Sequence, residues 1–385
     1  MPTRLLRRLL AGSLLALALS SGVYAANQDT DLVTKQYATL VYASYSDTLA
    51  AARDLQASID AFVAAPSADG LTKARKAWLE AREWYGQTEA FRFYGGPIDS
   101  DTGPEGMINA WPLDEAYIDG VKGKPRAGIV NNAKVKIEPA TLRKLNERGG
   151  EENIATGWHA IEFLLWGQDF SKTGPGNRAY TDFTTAPNAE RRRQYLQTAA
   201  AMLVEDLASV HKEWTPDTAG NYRAQFVAGG EQSLKKILTG IGTLSRGELA
   251  GERIEVAMDT QNQEDEHSCF ADNTHRDIVT NARGIQNVWE GRYVSRDGKT
   301  LEGASLKALV AQKNAEVADK VSQQIGATVA LAEQIQAPFD QEIIGKKDAP
   351  GRKRVQAVID ALKAQTKSLV EAAQALGIKR LNTSV

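Results

Sequence analysis

Gly157-Trp158-His159-Ala160-Ile161-Glu162-Phe163-Leu164-Leu165-Trp166-Gly167 holds two polar side chains, His159 and Glu162, in an apolar run bounded by glycines. A helix that is apolar on every face is buried. The stretch therefore predicts a short interior helix over 151–167 and, around it, a helical protein large enough to enclose it. At spacing i, i+3 the two polar side chains share a face, roughly 60° apart about the axis. A buried carboxylate without a partner costs several kcal/mol or takes up a proton. The pair offers one imidazole and one carboxylate, which is half of a metal site or a hydrogen-bonded structural pair. Four histidines and 25 glutamates in 385 residues give about 0.26 His-x-x-Glu pairs by chance. Spacing alone decides little; the apolar setting makes the pair unusual.

Outward from this segment, helical periodicity dominates and strand-like alternation is nearly absent. One helix is expected over 30–64, stopping before Pro66, and a second over 71–93. The second has an inner stripe of Leu71, Ala74, Trp78, Ala81, Tyr85 and then Thr88/Glu89, the seam of a bundle helix. Residues 95–150 are rich in Gly, Pro, Asp and Asn, and read as long connecting structure with one or two helical turns. Further helices are expected at 187–214, 222–244, 246–260, 275–292, 304–335 and 349–375. The fold class is all-α, with two helical-bundle halves, 26–215 and 216–385, packed together. Ala282-Arg283 and Trp289 loosely echo Ala74-Arg75 and Trp78, which leaves an ancient duplication open.

The first 25 residues read as a signal peptide. Arg4, Arg7 and Arg8 precede an apolar core, Leu9 to Leu19, and Val23-Tyr24-Ala25 supplies small residues for cleavage. The apolar core is well short of the roughly 20 residues that span a bilayer. Removing 1–25 takes away those three arginines and no acid, moving the formal charge from −2 to −5. Mild acidity without a basic block argues against nucleic acid as a partner. A single cysteine, Cys269, excludes an internal disulfide, so packing must hold the exported chain. It reads as a quiet buried thiol. The product is expected in the periplasm or associated with the outer membrane, and not as an integral membrane protein.

Standard zinc-peptidase signatures are missing: there is no His-Glu-x-x-His, and an inverted His-x-x-Glu-His fails because residue 163 is Phe. Further metal ligands must come from other segments. Glu89 continues the apolar stripe of the second helix, where a carboxylate is out of place without a partner; its plain alternative is a frayed helix end. Asp114 follows Trp111-Pro112-Leu113 in an ordered loop; its plain alternative is a helix N-cap. The run Glu264 to Asp277 holds two of the four histidines, His267 and His275. Glu264 and His267 form the Glu-x-x-His unit of di-iron bundles, but Asp272 with His275 is too near to oppose it. Glu264, His267 and His275 are therefore assigned to the surroundings of the site or to substrate contact, with a capped surface loop as the alternative. His211, near a helix end, needs no functional role.

Gly157-x-His159-x-x-Glu162, followed by Phe163-Leu164-Leu165-Trp166-Gly167, resembles the Gly-x-His-x-x-Glu signature of the imelysin-like proteins. These are bacterial envelope proteins grouped with insulin-cleaving metallopeptidases and iron-regulated proteins. The resemblance extends to the helix Ala74–Phe91, to Ile108–Asp114 and to Gln263–Asp277, and covers essentially the whole mature chain. It implies two helical-bundle halves with the signature at their junction. A related branch serves a bacterial iron-uptake system, and there the His-x-x-Glu pair and carboxylates from two earlier segments are implicated in metal binding. Motif order places those carboxylates on Glu89 and Asp114. That branch tends to carry an acidic residue three before the first carboxylate, whereas this chain has Gly86.

Three functions follow as expectations. The first is metal binding in iron acquisition through His159, Glu162, Glu89 and Asp114, with envelope iron-transport components as partners. The ion would be divalent or ferric, iron favoured and zinc possible, because mixed imidazole and carboxylate donors accept either. The second is a zinc-type metallopeptidase with Glu162 as catalytic residue. The third is a metal-free ligand- or partner-binding module, in which His159 and Glu162 pair with each other or with a buried arginine such as Arg82.

Overall fold

The computed structural model describes the backbone of residues 5–384 and the side-chain surroundings of residues 29–384. The expected signal segment, 1–25, lies outside the residues with described side chains. Among the described residues the regular structure is helical apart from one small hairpin, Arg292–Val294 paired antiparallel with Thr300–Glu302, and an isolated bridge between Val121 and Lys124. Among the described residues, no helix is long and apolar enough to cross a membrane.

The first helix, Leu5–Ala64, packs along the second, Ala68–Thr88, and along Ala189–Glu213. Ser67 caps the second helix by accepting from the Gly70 N–H at 3.1 Å. Its expected stripe, Leu71, Ala74, Trp78, Ala81 and Tyr85, is buried, and the helix tightens into a 3₁₀ turn at Glu89–Phe91. The second helix also lies against Thr274–Glu290, from the other half of the sequence. Gly86 and Gly284 let these two helices touch: a Cβ on Gly86 would fall 2.0 Å from Thr280 Oγ1, and one on Gly284 2.4 Å from the Gln87 carbonyl. Ala315–Ala332 packs on Pro350–Ala375, which covers the segment Leu244–Glu255. Buried apolar side chains from both halves form one cluster, from Val33 to Ala373.

Several elements differ from the sequence reading. Residues 95–150 contain four short helices, Glu105–Ile108, Glu115–Ile118, Gly128–Asn131 and Pro139–Leu145. Three of these have four residues each, about one turn, too few to show an apolar repeat. The expected 222–244 helix breaks at Gly229-Gly230, and 304–335 breaks before Asn314, whose side chain caps a new start by accepting from Val317 N–H. Residues 244–255 are π-helical rather than α-helical. The helix expected at 151–167 begins at Gly157. Gly157 has φ +83°, and a Cβ there would lie 2.4 Å from the Ile108 carbonyl, so only glycine fits.

Candidate functional site

The helix Gly157–Trp166 is buried along its entire length. Trp78 reaches both its ends: its ring lies 6.3 Å from Trp158 and 5.3 Å from Trp166, edge-on in each case. The Trp78 Nε1–H donates to the Trp158 carbonyl at 3.1 Å. At the C-terminus, Arg75 donates to the Leu165 carbonyl through Nε and Nη2, at 3.1 and 2.9 Å. A cation there satisfies an orphan carbonyl and complements the helix dipole. The second helix thus fixes where His159 and Glu162 sit.

His159 Nδ1 and Glu162 Oε2 are 2.8 Å apart, and the Ala271 N–H donates to Glu162 Oε1 at 2.9 Å. Both carboxyl oxygens are engaged, whereas His159 Nε2 is buried with no hydrogen-bond partner. The His267 ring stands beside His159, edge to face, with centroids 4.7 Å apart. Burial, then the neighbouring His267 and Arg82, push the His159 pKa well below its usual value. Burial likewise raises Glu162, against the pull of the Ala271 N–H. Burial thus disfavours charge on either group.

A charged lattice surrounds this pair. Arg82 donates to Asp277 Oδ1 through Nε and Nη2, at 3.2 and 3.0 Å, and to Asn109 Oδ1 through Nη1 at 2.7 Å. Its guanidinium also lies 5.2 to 5.7 Å from the ring centroids of Trp78, Tyr85 and Trp158. Burial opposes the Asp277 charge, but Arg82 and His267 outweigh it and hold the carboxyl well below its usual range. His267 Nδ1 faces Asp277 Oδ2 at 3.3 Å. Burial and Arg253 lower its pKa to about 4.

The candidates named from sequence fall into separate places. His159, Glu162, His267 and Arg82 are brought together. Glu89 is buried as the stripe implied, with its Oε2 bound by Arg92 at 2.7 Å and Arg253 at 2.5 Å. Burial works against its charge, and the two arginines keep it ionised. Asp114 is exposed and caps the Glu115–Ile118 helix by accepting from the Ala116 N–H at 2.9 Å. Glu264 lies in a 3₁₀ turn, Gln263–Asp265, with burial and Asp169 raising its pKa. His275 lies on the wall of a separate cavity. Gly86, where the related branch tends to be acidic, has no room for a side chain against Thr280. Burial, then Glu162, raises the Cys269 thiol, which makes it inert. His211 stacks on Tyr42 and meets the Ser46 hydroxyl, remote from the signature in sequence.

Asn109, Asp277 and Arg253 belong to this lattice and were not singled out from the sequence. Asn109 and Asp277 stood inside segments already noted, and nothing local separated them from caps. Arg253 is 164 residues from Glu89, and only the fold pairs them.

Metal fit can be judged from the donors. His159 Nε2 is a free buried imidazole nitrogen, backed by a carboxylate at Nδ1, the arrangement by which proteins orient a metal-binding histidine. Among the described residues, no three His, Cys, Asp or Glu side chains are grouped to hold an ion. The residues fit as the nucleus of a metal site, not as a closed ligand set.

The imelysin peptidase family model matches residues 41–369. The iron-regulated protein A of Synechococcus elongatus is 27% identical over 345 residues, covering 86% of this chain and 84% of its own. A solved structure described as an iron-regulated protein A precursor, from Parabacteroides distasonis, superposes with a TM-score of 0.72 at 20% identity. It covers 91% of this chain and 95% of its own. An imelysin-like protein from Psychrobacter arcticum gives 0.64 at 17% identity, over 90% and 96%. These two show the fold, and with the family match over most of its length the chain belongs to the imelysin family.

Proposed function

We propose that the protein is an exported, envelope-located metal-binding protein serving iron acquisition, with His159 Nε2 as the principal donor and Glu162 orienting it. The observation that carries this reading is the buried His159 Nε2 left without a partner while Nδ1 is held by a carboxylate. Burying an imidazole nitrogen with no partner costs about 1–3 kcal/mol, and a bound cation would offset that. Imidazole with carboxylate support suits iron, and zinc would also be accepted. The similarity to a protein named for iron regulation supports the first.

The experiment is titration of the purified protein with Fe(II), Fe(III) and Zn(II), read by calorimetry, for the parent and His159→Ala. The expected result is at least tenfold weaker binding of the preferred ion in the variant. Unchanged affinity overturns the reading. Glu89→Gln and Asp114→Ala in the same titration separate direct ligands from carboxylates committed to arginines or to a helix cap.

A second reading is favoured by the peptidase designation of the family model. In it Glu162 would serve as a ligand or as the general base, and a metal held beside it would activate water as the nucleophile. Chelator-sensitive cleavage of a denatured protein substrate that vanishes in Glu162→Gln supports it. Cleavage that survives that substitution argues against it.

A further inference from the structure

A cavity of about 410 Å³ opens where the signature helix ends, walled largely by residues between 166 and 178, and Arg178 forms part of that wall. The Arg178 side chain is only 7% exposed. Its Nη1 donates to Asp119 Oδ2 at 3.0 Å and to Asp182 Oδ2 at 3.4 Å, and its guanidinium lies 5.4 Å from the Phe163 ring centroid. The other edge of the guanidinium is unused. Nε is buried without a partner, and Nη2 makes no hydrogen bond among the described residues.

Two further observations bear on that edge. No side chain stands over it from residue 167, a glycine on the same wall: a Cβ there would fall 3.4 Å from Nε and 3.7 Å from Nη2. The carboxylate that meets Nη1 is also shared. Asp119 accepts from Arg192 Nε and Nη2 at 2.6 and 3.1 Å, so one buried carboxylate serves two guanidiniums. Behind them Arg75 donates to the Arg178 carbonyl at 2.7 Å. Burial lowers the Arg178 pKa against the pull of Asp119, and Arg192 adds to the burial. A buried guanidinium with donors left unmet is costly, and an oxyanion on the free edge would offset that cost.

The Nε–Nη2 fork is planar and takes a carboxylate through two parallel hydrogen bonds. Trp166, Pro175 and the 67% exposed Phe170 give the wall apolar surface, and Lys122 Nζ stands 5.2 Å from the Phe170 ring centroid. Two acids also border the space. Asp182 faces Arg178 Nη1, and Asp169 accepts from the Ser171 N–H at 2.8 Å and from the Gln263 side chain. Their charge disfavours a dianion. The helix end does not repel a single charge strongly, because Arg75 meets the Leu165 carbonyl and the Arg178 N–H meets that of Trp166. We infer that this cavity binds a small organic monocarboxylate, with its carboxylate on the Nε–Nη2 edge of Arg178 and its apolar body against Trp166, Pro175 and Phe170. Neither His159 nor Glu162 lines the space, so the site is separate from the metal reading and does not rest on it.

The test uses the full chain at pH 7.5 and calorimetric titration with three probes: 3-phenylpropionate, its uncharged amide, and inorganic phosphate. The expected result is saturable binding of the acid, at least tenfold tighter than the amide and tighter than phosphate. Arg178→Lys keeps the charge and removes the fork, and should weaken the acid at least fivefold. Because Arg178 also holds Asp119, a second variant guards against a folding defect. Asn177→Trp, at an exposed position on the wall, should abolish binding while leaving the circular dichroism spectrum unchanged. Equal binding of acid and amide overturns the inference, as does phosphate binding more tightly than the acid. So does absence of acid binding at about 10 mM, roughly the weakest affinity a pocket of this size would show. Acid affinity unmoved by both substitutions overturns it as well.

Discussion

Glu89 shows how a residue can be placed correctly and still have its role decided elsewhere. Its position on the stripe Leu71 to Tyr85 put it inside the protein, and it is inside. Its partners are Arg92, three residues on and readable from the sequence, and Arg253, which only the fold supplies. Removing the carboxylate takes one of two acidic partners from each buried guanidinium, leaving Arg92 with Glu105 and Arg253 with Glu248. Glu89→Gln is therefore expected to destabilise the protein by about 1–3 kcal/mol, measured by urea denaturation. A loss below about 1 kcal/mol would mean that the existing pairs with Glu105 and Glu248 compensate both guanidiniums unaided. Asp114 shows the reverse case. The same local pattern served a ligand and an N-cap equally well, and the cap geometry is what the structure contains. Asp114→Ala should cost only about 1 kcal/mol. His159 and Glu162 were legible because their isolation in an apolar run forces burial. Glu266 was not: it sits in the acidic run Glu264-Asp265-Glu266, which reads as a solvated surface, and a turn folds it inward.

At the scale of elements, the long periodic helices were readable because packing repeats along them. The stripe of Ala68–Thr88 and the extents of Ala189–Glu213 and Pro350–Ala375 follow from apolar spacing alone. What escaped was set by hydrogen-bond register or by length. The π-helical turn of 244–255 changes backbone register without altering composition, and a four-residue helix has no second repeat to reveal it. The start of the signature helix depends on Gly157, whose left-handed conformation sets its backbone against Ile108. Gly157→Ala adds a strained conformation, at about 1–3 kcal/mol, to a steric clash with a carbonyl. The expected outcome is a large fall in thermal stability, accompanied by changed tryptophan fluorescence as Trp158 shifts against Trp78. A neutral result would show that the 106–109 turn yields easily and does not fix the helix start.

Over the whole molecule, two sets of buried carboxyls pull stability in opposite directions with pH. Glu89 and Asp277 have folded pKa values below their unfolded ones, because paired arginines outweigh burial. Their contribution is fully present above about pH 4–4.5, the unfolded carboxyl range, and is lost as pH falls below it. Asp272 and Glu115 are raised instead, each to about 7, by burial first and then by Asp169 and Glu264 respectively. Raised carboxyls contribute stability below their unfolded values and lose it as pH climbs through the folded ones. Taken alone, the two sets place maximal stability at about pH 4, with one fall up to about pH 7 and another at lower pH, while the lowered pKa values of His159 and His267 add stability as pH rises toward about 6.5. Urea denaturation from pH 3 to 9, parent against variant, separates these contributions. Asp272→Asn, which removes the charge and suits the left-handed φ of +53° at this position, should remove the loss of stability that Asp272 causes between about pH 4 and 7 and leave the acid limb unchanged. Asp277→Asn should do the reverse, lowering stability at neutral pH and shrinking the acid limb. If the parent and Asp272→Asn instead differ by a constant amount from about pH 4 to 8, the Asp272 carboxyl is already ionised and compensated across that range.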